Sequence, residues 1–407
     1  MKILHYIPQQ VMRETVNEMF TITLQTCLQR NEEVQTVRSM KAFRQALHDV
    51  TPDIIHIFGC WNLTAFKVQQ AAHRKNLPVV LSPMSGLMPW NIHHHYLTEK
   101  YPSLVTYQQK AIAQADAIHV WSVMEMQEMR KQKWDERIQL VRNSTITGDF
   151  SPEQMAEQMV ALYQKVIDSN TFRLMTDREK LAETLLLRKG LARDEFSGQL
   201  TAEDRQLLAS LNEDSWRKIL IHAADEDIMP YVRHGAEELQ LAGIDTPTDE
   251  VKRFPQKLRK ARGDLATTEL ISKNPITKSI IDNLRVDEKP SPLEMEICML
   301  IHNLYHTLAA SKSLAAHPAA SSSKAKAPAV LSRRHLVQTY ALLRFNDYDE
   351  DKLQRMLHRL KLDRFTSRLL TILDETFLMG EGFSPLPLID DKTTAHLRHS
   401  LFMLHIQ

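Results

Sequence analysis

Short apolar runs alternate with amphipathic segments along the first third of the chain. Residues 53–57 (DIIHI) and 77–81 (LPVVL) are apolar runs of strand length, which end at Gly59 and at Ser82. Between them, Asn62–Lys75 carries apolar residues at three- and four-residue spacing and predicts an amphipathic helix. Together these segments predict a βαβ unit with parallel strands. Open parallel sheets bind ligands at the carboxyl ends of their strands, so the two turns mark a candidate site.

After Ser151 the pattern becomes helical. Apolar residues recur at helical spacing in five segments, namely Met175–Arg188, Thr201–Ser210, Ser215–Ala223, Pro230–Ala242 and Leu293–Leu308. Ser311–Val330 is rich in Ala, Ser, Pro and Lys and has almost no bulky apolar residue, which is typical of a flexible linker. We therefore predict an α/β, Rossmann-like amino-terminal domain followed by all-α domains. The predicted divisions are 1–150 (α/β), 151–310 (helical), 311–332 (linker) and 333–407 (a carboxyl-terminal helical module).

Composition narrows the class of partner. The net charge is +1 with 25% charged residues, so no global field favours a nucleic acid, and no nucleic-acid partner is predicted. The three cysteines, Cys27, Cys60 and Cys298, are far apart and form no CxxC pair. A disulfide framework or a zinc site is therefore not expected, and a cytoplasmic location fits. No apolar run reaches the roughly 20 residues that span a bilayer, so no transmembrane segment is predicted.

Glycine is scarce, at ten residues in 407, although average usage is about 7%. The chain contains neither a GxGxxG motif nor a P-loop, the glycine-rich turns that let backbone N–H groups approach a phosphate. No cofactor is predicted. Three adjacent histidines, His93–His95, invite a metal interpretation, but adjacent side chains on a helix or strand point in different directions. We predict no metal site.

The segments MKILHYIP, PDIIHIFGCWN and LPVVLSPMSGLMPW resemble the amino-terminal half of a family 4 glycosyltransferase of the GT-B type, as found in bacterial surface-polysaccharide synthesis. The resemblance runs from Met1 to Asp168. Its last segment, Ser151–Asp168, is similar to the helix at the far carboxyl end of such enzymes. The donor-binding domain that normally separates the two parts is missing from this pattern. The stretch 333–407 faintly resembles the helical tail of a bacterial nucleotidyltransferase-like family.

The resemblance implies an acceptor-side site and also shows where this chain departs from the family. The family's Pro-His-Gly turn reads Pro83-Met84-Ser85-Gly86 here, and a methionine cannot transfer a proton. The family's His-x-His-Gly reads His56-Ile57-Phe58-Gly59. The acceptor-side candidates are Arg13, His56, Gly59, Trp61, Ser85, Gly86 and Trp90. For His56 the alternative, which we favour, is a buried histidine with its hydrogen bonds satisfied. Catalytic and cofactor-binding residues stay unassigned.

One dense basic cluster lies in the helical part. Residues 252–262 (KRFPQKLRKAR) hold six cations, with Phe254 and Leu258 as apolar neighbours. A cluster of this kind contacts anionic lipid, which would suit a protein acting on a lipid-linked acceptor at the inner face of the membrane. The alternative, which we favour, is a solvated helix face.

Two functions follow from these patterns. The first is a glycosyltransferase-like protein of surface-polysaccharide biosynthesis that uses a nucleotide-sugar and a glycan or lipid-linked acceptor, with weak or absent activity of its own. The second is a catalytically dead scaffold or regulatory module of a polysaccharide-assembly complex. A partner chain that supplies the donor domain would reconcile the two. Whether the protein is an enzyme is left open at this point.

Overall fold

The computed structural model describes residues 1–93, 98, 100–131, 137–248, 252–254, 275–315 and 333–400. Its backbone contacts divide the chain into two compact units. Unit 1 comprises Met1–Leu174 and Glu250–Pro255, and unit 2 comprises Met175–Asp249 and Gln256–Gln407. Each unit has its own apolar core.

Unit 1 is built on a parallel sheet. Its strands are β1 (Lys2–Tyr6), β2 (Glu33–Val37), β3 (Ile54–Phe58), β4 (Val79–Ser82), β5 (Ala117–Val120) and β6 (Ile138–Leu140). Their order across the sheet is β2-β1-β3-β4-β5-β6, and every neighbouring pair is parallel. All carboxyl ends therefore lie at one edge, which we call the carboxyl edge. Because β3, β4 and β5 are buried on both faces, they read as continuous apolar runs in the sequence.

Helices cover both faces of this sheet. They are α1 (Thr15–Leu28), α2 (Met40–Asp49), α3 (Leu63–Arg74), α4 (Pro89–His93), α5 (Tyr101–Ser103), α6 (Gln109–Gln114), α7 (Val123–Lys131), α8 (Pro152–Asp168) and α9 (Thr171–Leu174). A π-helical stretch, Leu104–Gln108, joins α5 to α6. The predicted helix after β3 begins where its capping chemistry indicates, because the Asn62 side chain accepts a hydrogen bond from the Ala65 N–H. The predicted α/β fold class is confirmed.

Unit 2 is helical in all of its described elements. They are α10 (Asp177–Leu191), α11 (Ala202–Ala209), α12 (Glu213–Asp225), α13 (Met229–Glu238), α14 (Pro275–Asp287), α15 (Pro292–Ala315), α16 (Arg333–Arg344), α17 (Glu350–Arg359), α18 (Asp363–Phe377) and α19 (Lys392–Ser400). Capping boxes at Thr176 and Thr201 start α10 and α11. The all-α prediction for this part of the chain is confirmed.

A buried charged network lies within unit 2. Glu183 is fully buried on α10, and its Oε1 lies 2.6 Å from His222 Nδ1 while its Oε2 lies 2.7 Å from Arg333 Nε. The backbone N–H of Arg333 donates to Glu226 (3.0 Å), and its guanidinium donates to Thr184 (2.7 Å). We call this set the Glu183 network. It connects three helices, α10, α12 and α16, through charges that are removed from water.

The two units do not coincide with the four predicted divisions, which stay a prediction. Helix α8, assigned from the sequence to the second division, packs on α1 within unit 1 and adds Met155, Met159 and Val166 to that core. Its apolar stripe explains this, because those residues share one helix face. The first residues of the predicted linker, Ser311–Ala315, continue α15, and residues 316–332 lie outside the described part of the chain. Among the described residues, no helix combines the length and the apolar character needed to cross a bilayer.

Candidate functional site

Backbone strain concentrates in the turns at the carboxyl edge of unit 1. After β3, Gly59 has φ +85° and Trp61 has φ +57°; after β4, Met84 and Ser85 have φ +54° and +61°. Side-chain-bearing residues seldom adopt this left-handed region, and strain of this kind clusters at ligand sites. Gly59 is needed at its position, because a Cβ there would lie 2.6 Å from Val11 Cγ2.

The carboxylate of Glu125 joins the turn after β4 to the turn after β5. Glu125 lies in the first turn of α7 and is 1% exposed. Its Oε1 accepts a hydrogen bond from the Ser85 N–H (2.8 Å), and its Oε2 accepts one from the Trp121 N–H (3.3 Å). The Trp121 indole N–H donates in turn to Ser85 Oγ at 2.8 Å. Burial raises the pKa of Glu125 to about 7, although both backbone hydrogen bonds oppose the shift.

Trp61 joins the turn after β3 to the turn after β4. Its indole N–H donates to the Gly86 carbonyl (2.6 Å), and its backbone N–H donates to Gln108 Oε1 (2.7 Å). The ammonium of Lys100 lies 4.8 Å from the centroid of the Trp61 ring, in a cation–π arrangement. A Cβ on Gly86 would collide with the thiol of Cys60, so the two turns meet there without spare room.

The other candidates at this edge are exposed. Trp90, in the first turn of α4, is 57% exposed, and the neighbouring Asn91 side chain donates to the Ser85 carbonyl at 2.8 Å. Arg13 is exposed in a 3-10 turn, Val11–Arg13, that follows β1. The fold thus brings Gly59, Trp61, Ser85 and Gly86 into one set of contacting turns, with Trp90 next to them, whereas Arg13 lies on the neighbouring turn without a contact to that set in the described geometry.

His56 does not belong to this surface. It is fully buried on β3, where its Nδ1 lies 2.6 Å from the Tyr163 hydroxyl and its Nε2 lies 2.6 Å from Ser82 Oγ. The Tyr163 hydroxyl also lies 3.3 Å from Nε2 of His5, the cross-strand neighbour of His56. The favoured interpretation of His56 as a satisfied buried histidine agrees with this geometry.

The same chain of hydrogen bonds continues through β5. Ser82 Oγ lies 2.6 Å from His119 Nδ1, and His119 Nε2 lies 3.1 Å from the Val141 carbonyl. We call the whole set the histidine chain, which consists of His5, Tyr163, His56, Ser82 and His119. Four of its members lie on four neighbouring strands, and Tyr163 reaches them from α8.

The Val141 carbonyl fixes the proton positions along the histidine chain. Since a carbonyl only accepts, His119 Nε2 carries the proton and His119 Nδ1 accepts from the Ser82 hydroxyl. Ser82 Oγ then accepts from His56 Nε2–H, and His56 Nδ1 accepts from the Tyr163 hydroxyl. Tyr163 accepts from His5 Nε2–H, which leaves His5 Nδ1 as a buried acceptor without a partner. All hydrogen bonds run in one direction, and every histidine is neutral.

Burial explains why the three histidines stay neutral. It lowers the pKa of His5 to about 3 and that of His119 to about 4. The pKa of His56 falls well below its usual value, because burial and its two histidine neighbours both oppose a positive charge. The histidine chain is therefore a structural hydrogen-bond network under ordinary conditions, and no member of it is poised to exchange a proton near neutral pH.

The family comparison identifies the part of the chain that carries this site. Residues 9–144 match the family model of the glycosyl transferase 4-like domain. This stretch is a glycosyl transferase 4-like domain. The resemblance predicted from the βαβ unit and the turn after β4 is thereby confirmed. No curated protein and no solved structure matches the chain significantly.

The glycosyl transferase 4-like domain contains all the contacting turns of the carboxyl edge and most of the histidine chain. His5 precedes the matched residues, and Tyr163 follows them. Sequence reasoning named Trp61, Ser85 and Gly86 but missed Glu125, His119 and Tyr163. A signal for Glu125 was present, since Ser122-x-x-Glu125 is the spacing of a capping box and the Glu125 N–H does donate to Ser122 Oγ at 3.1 Å.

Two further sequence features lie largely outside the described residues. His93 ends α4, and His94 and His95 are not among the residues that the structure describes. Of the basic cluster 252–262, only Lys252, Arg253 and Phe254 are described. Phe254 is 5% exposed, its N–H donates to Ser169 Oγ (2.8 Å), and its ring lies 4.0 Å from the Lys165 ammonium. Phe254 is therefore not available as an apolar contact for a membrane, because this ring is buried in unit 1.

Proposed function

We propose that this glycosyltransferase-like protein acts in bacterial surface-polysaccharide biosynthesis, keeps the acceptor-side half of a nucleotide-sugar-dependent transferase, and has weak or absent transfer activity of its own. The observation that carries the proposal is the carboxyl edge of the glycosyl transferase 4-like domain. Its turns are held tightly in strained conformations, as a binding site requires, yet the position of the family's turn histidine is taken by Met84. That side chain is 8% exposed and belongs to the apolar core.

The chemistry of the edge supports binding better than catalysis. Trp90 is largely exposed and Trp61 is half-buried, and flat indole faces suit the apolar faces of sugar rings. Glu125, the buried carboxyl at this edge, already accepts two backbone hydrogen bonds. Met84 offers no proton and no charge to a leaving phosphate. The helical architecture of unit 2 in its described residues also differs from the parallel α/β domain that the resemblance implies for a donor site.

Binding of nucleotide sugars tests the proposal. Calorimetry with UDP-, GDP- and ADP-sugars is expected to give saturable binding of one of them through its sugar ring, which Trp90→Ala weakens. Micromolar binding that Trp90→Ala leaves unchanged would instead indicate a donor site elsewhere in the chain and overturn the claim that only the acceptor-side half is kept. Phe196→Ala is the matched control, because Phe196 is also exposed (56%) but lies in unit 2. Transfer to a glycan acceptor at rates usual for enzymes, about 1–10³ s⁻¹, would overturn the claim of weak activity. Absence of binding at millimolar ligand would overturn the sugar-binding claim.

A scaffold or regulatory module is the second candidate, and one observation favours it. Helix α1 exposes Val16 (45%), Met19 (50%) and Ile22 (53%) at three-residue spacing, which places them on one stripe. An apolar stripe of this kind suits a protein partner, for example a chain that supplies a donor domain. If the purified chain is monomeric and Met19→Glu leaves every association of the protein unchanged, this candidate fails.

A further inference from the structure

The loop at residues 83–90 is closed by its own hydrogen bond from the Gly86 N–H to the Pro83 carbonyl (3.0 Å) and is held further by contacts from outside itself. Met84 and Ser85 are two successive residues with positive φ, and neither is a glycine. Such a pair costs on the order of 1–3 kcal/mol per residue and persists only where the surroundings impose it. Three groups act on Ser85, namely the Glu125 carboxylate on its N–H, the Trp121 indole on its hydroxyl and the Asn91 amide on its carbonyl.

Glu125 is the centre of these contacts. It accepts from the Ser85 N–H and also from the N–H of Trp121, the residue whose indole holds the Ser85 hydroxyl. Phe20 of α1 lies edge-on to the Trp121 ring at 5.4 Å, which restricts that ring further. A single carboxylate therefore fixes both the strained turn after β4 and the aromatic side chain at the end of β5.

We propose that Glu125 is a positioning residue, which holds the loop at residues 83–90 in the conformation that a sugar ligand meets at the carboxyl edge. The proposal rests on the proposed function for the identity of the ligand, but the loop contact itself does not. We call the two hydrogen bonds that Glu125 accepts, from Ser85 and from Trp121, the clamp. Ser85, Gly86 and Trp90 all lie in this loop, so the clamp sets the positions of three candidate residues together.

Protonation of Glu125 releases half of the clamp. A carboxylate accepts from both N–H groups, whereas the neutral acid presents an O–H to one of two donors and loses that hydrogen bond. Burial places the pKa of Glu125 at about 7, so the clamp is complete above this pH and weakens below it. We expect nucleotide-sugar affinity to fall about tenfold between pH 8 and pH 6, the size of one hydrogen bond to a charged group.

The neighbouring groups do not titrate in the same range. Ser85 and Trp121, which contact Glu125 from the turn after β4 and from the turn after β5, are uncharged, as is Asn91, which contacts Ser85 from α4. Cys60, on the turn after β3, has its pKa raised by burial and stays a thiol. The charges of Lys100 and Glu14 act on the same thiol with opposite signs.

The test uses the full chain and the variant Glu125→Gln, with Glu128→Gln as the matched control on the same helix. Glu128 pairs with Lys131 and makes no contact with the loop in the described geometry. The probe is the indole N–H resonance of Trp121 in the protein without ligand, assigned with Trp121→Phe. We expect a titration of this resonance with a midpoint near pH 7 in the wild type and in Glu128→Gln, and none in Glu125→Gln.

The outcomes separate this inference from the proposed function. A wild-type Trp121 resonance that does not shift between pH 6 and pH 8 overturns the clamp, even if Glu125→Gln fails to fold. A shift that persists in Glu125→Gln overturns it as well. If nucleotide sugars bind with the same pH profile in the wild type and in Glu125→Gln, the positioning role is overturned while sugar binding stands. If the titration occurs and no sugar binds, the clamp stands and the proposed function fails.

Discussion

Each unit contains a buried polar network. The two networks differ in how they compensate for the loss of hydration of their polar groups. The histidine chain of unit 1 is neutral and forms a single directed series of hydrogen bonds, which ends at the Val141 carbonyl and leaves His5 Nδ1 without a partner. The Glu183 network of unit 2 keeps its charges and places Arg333 against the carboxylate at 2.7 Å. The stability of the neutral network depends on the pH and on every hydrogen bond in the series. The stability of the charged network depends on the presence of both ionic partners.

Lowering the pH is expected to produce the largest difference in stability between the two units. The unfolded chain binds protons on His5, His56 and His119 below about pH 6.5, but the folded unit 1 does not, because burial lowers all three pKa values. Their contribution to stability is thus complete above pH 6.5 and is lost as the pH falls toward 4. Three histidines at about 1.4 kcal/mol per pH unit each give a slope of about 4 kcal/mol per pH unit. Glu125 of unit 1 offsets about 1.4 kcal/mol per pH unit of this loss, because burial raises its folded pKa to about 7 and the folded state alone binds that proton between about pH 7 and pH 4.5.

Hydrogen exchange read by mass spectrometry distinguishes the two units in this experiment. Between pH 6.5 and pH 5, opening free energies should fall much more for β1, β3 and β5 than for α10 and α12. In unit 2, burial also lowers the pKa of His302, so a smaller fall is expected there. The Glu183 carboxylate adds nothing in this window, because its pKa lies below its ordinary value. Equal losses in both units would contradict the neutral assignment of the histidine chain.

Removal of one charge is expected to have the next largest effect, and only in unit 2. Glu183→Ala leaves Arg333 buried without its carboxylate, which should lower the free energy of unfolding of unit 2 by about 3–5 kcal/mol. Denaturant unfolding, followed by the signal of Trp216 in unit 2, measures this loss of free energy. Asp282→Ala is the control, since its partner Arg285 is half exposed, and it should cost less than about 1 kcal/mol. Similar losses in both variants would refute a charged network.

The elements were more predictable from the sequence than the two networks. The βαβ unit follows from apolar runs and from helical spacing, both of them local signals. The hydrogen bond between His56 and Tyr163 joins residues 107 positions apart, and that between Arg333 and Thr184 joins residues 149 positions apart. No spacing rule links such residues. Strained turns also escape prediction, because neither Met84 nor Ser85 is a residue type that favours positive φ.

Removal of the Tyr163 hydroxyl tests whether the histidine chain of unit 1 is one connected series of hydrogen bonds. Tyr163→Phe removes the group that accepts from His5 and donates to His56, which leaves two buried ring nitrogens unpaired. The expected cost is about 2 kcal/mol in the free energy of unfolding of unit 1. Tyr107→Phe is the control, because Tyr107 meets Phe66 through its ring. A double-mutant cycle with Ser82→Ala should be non-additive, as expected of neighbouring links in one chain. Strict additivity would indicate independent hydrogen bonds.

The smallest expected loss of stability is at the carboxyl edge, where close packing, and not a polar network, limits which side chains fit. Gly86→Ala brings a Cβ against the Cys60 thiol, and overpacking of this kind costs about 1–3 kcal/mol. Thermal unfolding of unit 1 measures the loss. Because the thiol is the nearest atom, the double variant Cys60→Ala/Gly86→Ala should recover most of the stability, while Gly148→Ala, which meets no atom within 4 Å, should change little. If the second substitution restores nothing, the clash is with the Pro83 carbonyl at 3.0 Å, within the turn after β4 itself, and not with the thiol of the neighbouring turn.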